Sequence, residues 1–208
     1  QHPLLLWWNR PGLRDFKDKS DLAAKSTNSK GFRYSQDVPF TKPAGEYRIF
    51  VLGNSSAFGH GVTDDKVFSA RLEKLLRSDL KMNVRVINAA CPGHTTYQNL
   101  IELKTMILLY HPDSIIIANN NDAALEYCEE KNRMTHSLLG RQANSFLYRS
   151  DYCLLMQRIV LDHRAYILEK ICKLEKPALV RRVSLEDYRL NLAGLAEAAD
   201  RNGVSIVF

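Results

Sequence analysis

Apolar and polar positions along this chain fall into two periods that alternate. Ile49, Phe50, Val51 and Leu52 are consecutive and apolar, and Gly53 breaks the run. A short continuous run of this kind predicts a strand buried on both faces, as at the centre of a parallel sheet. Ser114 to Ala118 (SIIIA) predicts another, Asn83 to Asn88 (NVRVIN) an alternating strand, and Val204 to Phe208 a fourth. Helical spacing lies between them. Phe68, Leu72, Leu75 and Leu76 recur at i, i+4, i+7 and i+8, which predicts a helix over 66–80. Thr95 or Thr96 caps a helix running to Tyr110. His111-Pro112-Asp113 stops it, because proline disfavours helical geometry in the residue before it. The polar turn Asn119 to Asp122 leads into a helix predicted over 123–131, and 132–150 has no clear period. A long helix is predicted over 151–174, ahead of Pro177. Ser184 and Asp187 resemble a capping box for a last helix, with Leu185, Tyr188, Leu192, Leu195, Ala196 and Ala199 on one face and Asn202-Gly203 at its end.

Strands separated by helices predict an α/β fold of three layers, α/β/α, with a mostly parallel sheet and right-handed crossovers. The expected architecture is flavodoxin-like, with strand order 2-1-3-4. Residues 1–45 differ in texture, being polar with scattered proline and glycine after Leu4-Leu5-Leu6-Trp7-Trp8. They predict an irregular arm that buries Trp7 and Trp8 on the domain formed by 46–208. The chain has no initiator methionine and Val204 to Phe208 reads as a strand with nothing after it, so the chain is expected to be a fragment or a processed piece.

Composition adds limits. The chain has 208 residues, enough for one domain with a sizeable core. No apolar run approaches the roughly 20 residues that span a bilayer. The net charge is +6, and basic residues are densest between Arg158 and Arg182. That density fits either a surface for anionic headgroups or a solvated helix face. Aromatic residues are not interleaved with it, which argues against nucleic acid. Cys91, Cys128, Cys153 and Cys172 are widely spaced, without the pattern of a zinc site or disulfide scaffold. The Gly53 to Ala57 turn lacks the last glycine of GxSxG, and neither a phosphate loop nor a dinucleotide fingerprint is present.

Candidate chemistry is positional. Loops bearing Ser55, Gly93 and Asn121 follow the first three strands of the predicted order, and all three would meet at the carboxyl edge of the sheet. A hydroxyl, a glycine amide and an asparagine amide gathered there would form a nucleophile with an oxyanion hole. Each residue also has a plainer reading: Ser55 and Asn121 as helix caps, Gly93 as a turn residue.

The blocks RIFVLGNSSAFGHGV, VINAACPGHTTYQNL and SIIIANNNDA resemble those of the SGNH/GDSL hydrolase superfamily, and NSKGFR (Asn28 to Arg33) resembles the lead-in of its bacterial members. The resemblance implies Ser55 as nucleophile, with Gly93 and Asn121 as oxyanion donors. It implies hydrolysis, occasionally transfer, of acyl esters on small molecules, lipids or polysaccharides, with no metal and no organic cofactor. It also leans toward a bacterial cell envelope, with membrane association left open. Asn54 stands where the family has Asp, Ala90 and Asn119 where it has Gly, and no Asp-x-x-His occurs in these residues. That block is expected past Phe208. His60, His94 and the neighbours Asp162-His163 are weaker candidates for the base. Two rivals accompany the esterase reading: an O-acyltransferase acting on a cell-surface polysaccharide, and an inactive binding module.

Overall fold

The computed structural model describes residue 5 and residues 7–18, 21–126 and 179–208. In chain order the elements are strands Phe16–Asp18 (β1), Asp21–Lys25 (β2) and Tyr47–Gly53 (β3), and helices Ser55–Phe58 (α1) and Phe68–Ser78 (α2). Val84–Asn88 (β4), Thr96–Thr105 (α3), a 3₁₀ turn at Ile107–Tyr110 and Ser114–Ala118 (β5) follow. The two-residue strands Leu125–Glu126 (β6) and Val180–Arg181 (β7), helix Leu185–Asp200 (α4) and strand Ser205–Val207 (β8) complete the set.

The chain divides into two compact units, Gln1–Ala123 with Val183–Phe208, and Ala124–Arg182. In the first, a parallel sheet is ordered β4-β3-β5-β8, the expected 2-1-3-4 arrangement. The continuous apolar run of β3 has its cause here. Phe50 and Leu52 face a core with Leu103, Ile107, Tyr110, Ile115 and Leu195. Ile49 and Val51 face the other side, against Ala57, Phe58, Val84 and Val86. Each such side chain stabilises the fold by about 1.5–3 kcal/mol relative to exposure.

Helix α2 covers the second face only in part. Leu72 and Leu76 pack there, whereas Phe68 and Leu75 of the same predicted stripe are exposed. Helix α4 seats Gly194 on Leu100 of α3, where a Cβ would come within 3.1 Å of Leu100 Cδ2. Its start is capped as expected, Ser184 Oγ accepting from Asp187 N at 3.1 Å.

Three expectations change. The segment 1–45 is not wholly irregular, since β1 and β2 pair antiparallel. Its residues lie in the same compact unit as the sheet. Phe16, Lys17 and Asp18 offer no apolar alternation, so their pairing leaves no period to detect. Trp7 and Trp8 are half-buried rather than largely buried, each resting one side of its ring on glycine-bearing backbone. The helix expected from Ala123 does not form over its described part. Leu125 and Glu126 instead pair antiparallel with Arg181 and Val180 in the second unit. A backbone partner distant in sequence overrides the local preference there. Residues 127–131 of that helix, the period-free stretch 132–150 and the helix expected over 151–174 lie outside the described residues.

Candidate active site at the carboxyl edge of the sheet

The turn bearing Ser55 is set by Gly53 and Asn54. Gly53 ends β3 at φ 153, and a Cβ there would run into the Ala118 carbonyl and come 2.7 Å from Ala57 Cβ. Only glycine lets the ends of β3 and β5 approach this closely. Asn54 is the extended N-cap of α1, its Oδ1 accepting from Ser56 N at 3.0 Å. Ser55 is the first residue of α1 and half-buried. Its carbonyl accepts from Gly59 N at 3.0 Å and His60 N at 3.1 Å. Gly59 closes the helix in the left-handed conformation, φ 89.

The second loop extends the pairing of β3 past the end of β4. Ala89 N donates to Val51 O at 2.9 Å and Cys91 N to Gly53 O at 3.0 Å, which carries the chain alongside the Ser55 turn. Asn88 accepts from Ala90 N at 3.1 Å and donates to Ala57 O at 2.9 Å, joining this loop to α1. Gly93 has φ 84, and the indole of Trp7 lies over it.

The third loop is tied to both others. Asn54 Nδ2 donates to Asn120 Oδ1 in a short hydrogen bond. Asn119 Nδ2 donates to His94 O at 3.0 Å and to Asn99 Oδ1 at 2.7 Å, while Asn119 Oδ1 accepts from Asn121 N at 2.9 Å. Asn119 does not have a positive φ, so its residue type is explained by these bonds and not by a left-handed backbone. Asp122 accepts from Thr96 N at 3.0 Å and Thr96 Oγ1 at 2.6 Å, holding the start of α3. Asn191 Nδ2 donates to the same hydroxyl at 3.1 Å. Sequence reading passed over Asn120, Asp122, Asn88 and Asn191. Their signal is a surplus of short polar residues beside buried strands, which marks loops that hydrogen-bond one another.

A buried polar cluster backs the second loop. His94 and Glu102 are fully buried, Nδ1 to Oε2 3.5 Å apart, too long for a full hydrogen bond. His94 Nδ1 and Glu102 Oε1 have no hydrogen-bond partner among the described residues. Burial pushes the Glu102 carboxyl up, with His94 partly offsetting the rise. Burial, and then the charge of Glu102, pushes the Cys91 thiol up. Trp7 and Trp8 pack their rings 5.7 and 5.9 Å from that of His94, whose Nε2 lies 3.3 Å from Trp7 O. His94 is therefore a walled-in residue, and this geometry disfavours it as the base. His60 is exposed beyond α1, and His163 lies outside the described residues. Among the described residues, no group of three His, Cys, Asp or Glu side chains could hold a metal ion.

No protein-family model matches the chain, and no curated protein does. Among solved structures the chain is similar to TesA, with 16% identity over 76% of this chain and a TM-score of 0.44. The match spans 57% of the length of TesA. It is similar to AlinE4, an SGNH-hydrolase family esterase, with 21% identity over 80% of this chain and 77% of that one, at a TM-score of 0.36. A catalytic mutant of Axe2, an acetylxylan esterase from Geobacillus stearothermophilus, is similar at 14% identity over 81% and 78% of the chains, with a TM-score of 0.33.

Proposed function

We propose that this protein is a serine ester hydrolase that forms an acyl-enzyme on Ser55. The tetrahedral oxyanion is held by the amides of Ser55 and Gly93 and by the side-chain amide of Asn121. Ester hydrolysis needs fixed donors where negative charge develops, and donors that do not have to reorganise are the effective ones. The observation carrying the reading is the mutual tethering of the three loops, through Asn54 to Asn120, Cys91 N to Gly53 O, and Asn119 to His94 O. Such cross-links pre-organise backbone that would otherwise be free to move.

A serine hydroxyl is a weak nucleophile unless a base removes its proton during attack. We assign that base to a histidine outside the described residues, as the Asp-x-x-His block of the resembling family implies. The substrate is an acyl ester whose alcohol is a small molecule, lipid or glycan.

The test uses the full-length protein with a short-chain aryl ester and a fluorophosphonate probe. Turnover and covalent labelling at Ser55, both lost in Ser55→Ala, support the reading. Turnover that survives Ser55→Ala, or labelling at another residue, overturns it. A folded protein that neither turns over nor labels overturns the acyl-enzyme reading and favours the inactive binding-module alternative.

A further inference from the structure

The segment NSKGFR, which precedes the sheet, contributes a residue that the site described above leaves unused. Arg33 bridges to the edge strand through its backbone, its N donating to Asn88 O at 2.8 Å. Its side chain is only 1% exposed. From there the guanidinium reaches the turn that closes α1. Nη1 donates to Phe58 O at 3.0 Å and to Gly59 O at 2.6 Å, and Nη2 donates to Val62 O at 2.6 Å. Nε donates to Asp64 Oδ1 at 2.7 Å, and the guanidinium carbon lies 5.0 Å from the centre of the Phe58 ring.

A four-residue helix has almost no cooperativity of its own, because the cost of its first turn is spread over few hydrogen bonds. Its closing carbonyls need partners from elsewhere. Arg33 and Asn88 supply them, Asn88 taking Ala57 O and Arg33 taking Phe58 O and Gly59 O. The link to Ser55 is one hydrogen bond further on, since Gly59 N and His60 N both donate to Ser55 O. A buried guanidinium is costly unless its planar donors are matched. Here they are matched by three carbonyls and a carboxylate, which lysine, with a single flexible point charge, cannot reproduce.

We propose that Arg33 is a positioning residue for Ser55: by holding the Phe58 to Val62 turn against Asp64, it fixes the direction in which α1 presents the serine hydroxyl. The catalytic part of this proposal rests on the reading of Ser55 as nucleophile.

The molecule contains its own control. Arg48 is also fully buried, and donates to Glu46 Oε1 at 2.6 Å, Pro39 O at 2.8 Å and Tyr110 O at 2.8 Å. It lies near the amino end of β3, about 16 Å along the strand from Gly53. Arg33→Lys and Arg48→Lys, made in the full chain, should both melt at lower temperature. Hydrogen exchange of residues 55–62, measured well below both melts, should quicken by ~10-fold or more in Arg33→Lys and not in Arg48→Lys. With an aryl ester, kcat should fall roughly 10 to 100-fold in Arg33→Lys with KM nearly unchanged, and should hold in Arg48→Lys. Asp64→Asn, at a half-exposed carboxylate, should show smaller changes in the same direction and decides the matter if Arg33→Lys does not fold. Unchanged exchange over 55–62, or an equal loss of kcat in both arginine variants, overturns the proposal. If the wild-type protein has no Ser55-dependent turnover, the nucleophile reading fails. The exchange measurement then still decides whether Arg33 holds α1.

Discussion

The indole of Trp7 closes over Gly93. A Cβ added at Gly93 would come 3.2 Å from Trp7 Cζ2, and Trp7 Nε1 donates to Pro92 O at 2.9 Å. Trp8 repeats the arrangement at Gly31, with its Nε1 donating to Lys30 O at 2.7 Å. Both indoles thus spend their N–H on a carbonyl just before a left-handed glycine, and each ring covers the backbone where no side chain intervenes.

Gly93→Ala is therefore expected to cost stability twice. The positive φ costs about 1–2 kcal/mol for a residue with a Cβ, and the methyl presses on the indole as well. Urea unfolding of Gly93→Ala, Trp7→Ala and the double variant separates the two. The contact part should vanish when Trp7 is absent, and the backbone part should remain. Full additivity in that cycle would show that the indole does not feel the methyl.

Asp122 gives a second expectation. Its carboxylate takes both the N–H and the hydroxyl of Thr96 at the start of α3, and it is buried. Asp122→Ala should cost about 1–3 kcal/mol, since it leaves a buried donor unsatisfied. Asp122→Asn should recover part of that loss through its carbonyl oxygen. Equal losses for the two variants would mean that charge, and not hydrogen bonding, is what Asp122 supplies.

The sheet was legible because β3 and β5 are apolar at consecutive positions, a pattern that requires cover on both faces and so implies helices between parallel strands. The three loops were legible for the same reason, since a parallel order fixes which strand ends meet. What escaped was everything set by side chains reaching across the sequence. Arg48 looked like an ordinary strand residue, yet it is fully buried on main-chain carbonyls from two segments, Pro39 to Thr41 and Tyr110. The edge of β4 was equally silent. Glu73 takes Val86 N–H at 2.7 Å and Arg77 donates to Val84 O at 2.7 Å, so two charged residues of α2 occupy a strand edge that would otherwise invite pairing. Burial, and then the same Glu73, pushes the Tyr34 phenol up. No periodicity encodes such contacts, because they depend on loop lengths rather than on face.

Glu102 predicts a pH dependence. Burial raises its carboxyl above the ordinary range, so the folded chain holds that proton more tightly than the unfolded chain. The stabilisation is complete below the unfolded pKa and is lost as pH rises through the raised folded value. Among the described residues, the titratable groups facing it are His94 and Cys91. Glu102→Gln has no proton to lose. Its stability relative to wild type should therefore climb as pH increases from about 4 toward neutrality. A difference that stays flat across that range, read from chemical denaturation at each pH, would show that Glu102 is not destabilised by its burial.

Asn54 offers the most direct test of how the site departs from the pattern it resembles. Its Oδ1 caps Ser56 N, a task that Asp performs equally well. Its Nδ2 donates to Asn120 Oδ1, which a carboxylate cannot do. Asn54→Asp keeps the link only if the Asn120 amide turns over to become the donor, and Asn120 is exposed enough to turn. This single variant should then lose little, about 0.5 kcal/mol or less. Adding Asn120→Asp removes the only donor and sets two carboxylates against each other, which costs about 1 kcal/mol at a partly solvated site and eases with salt. Both variants keep the Ser56 cap, so the double variant isolates the tie between the Ser55 turn and the third loop. Ester turnover should follow the tie: near wild type in Asn54→Asp, and reduced in the double variant with KM little changed. If the double variant turns over as fast as Asn54→Asp, the cross-link between those loops has no part in placing Ser55.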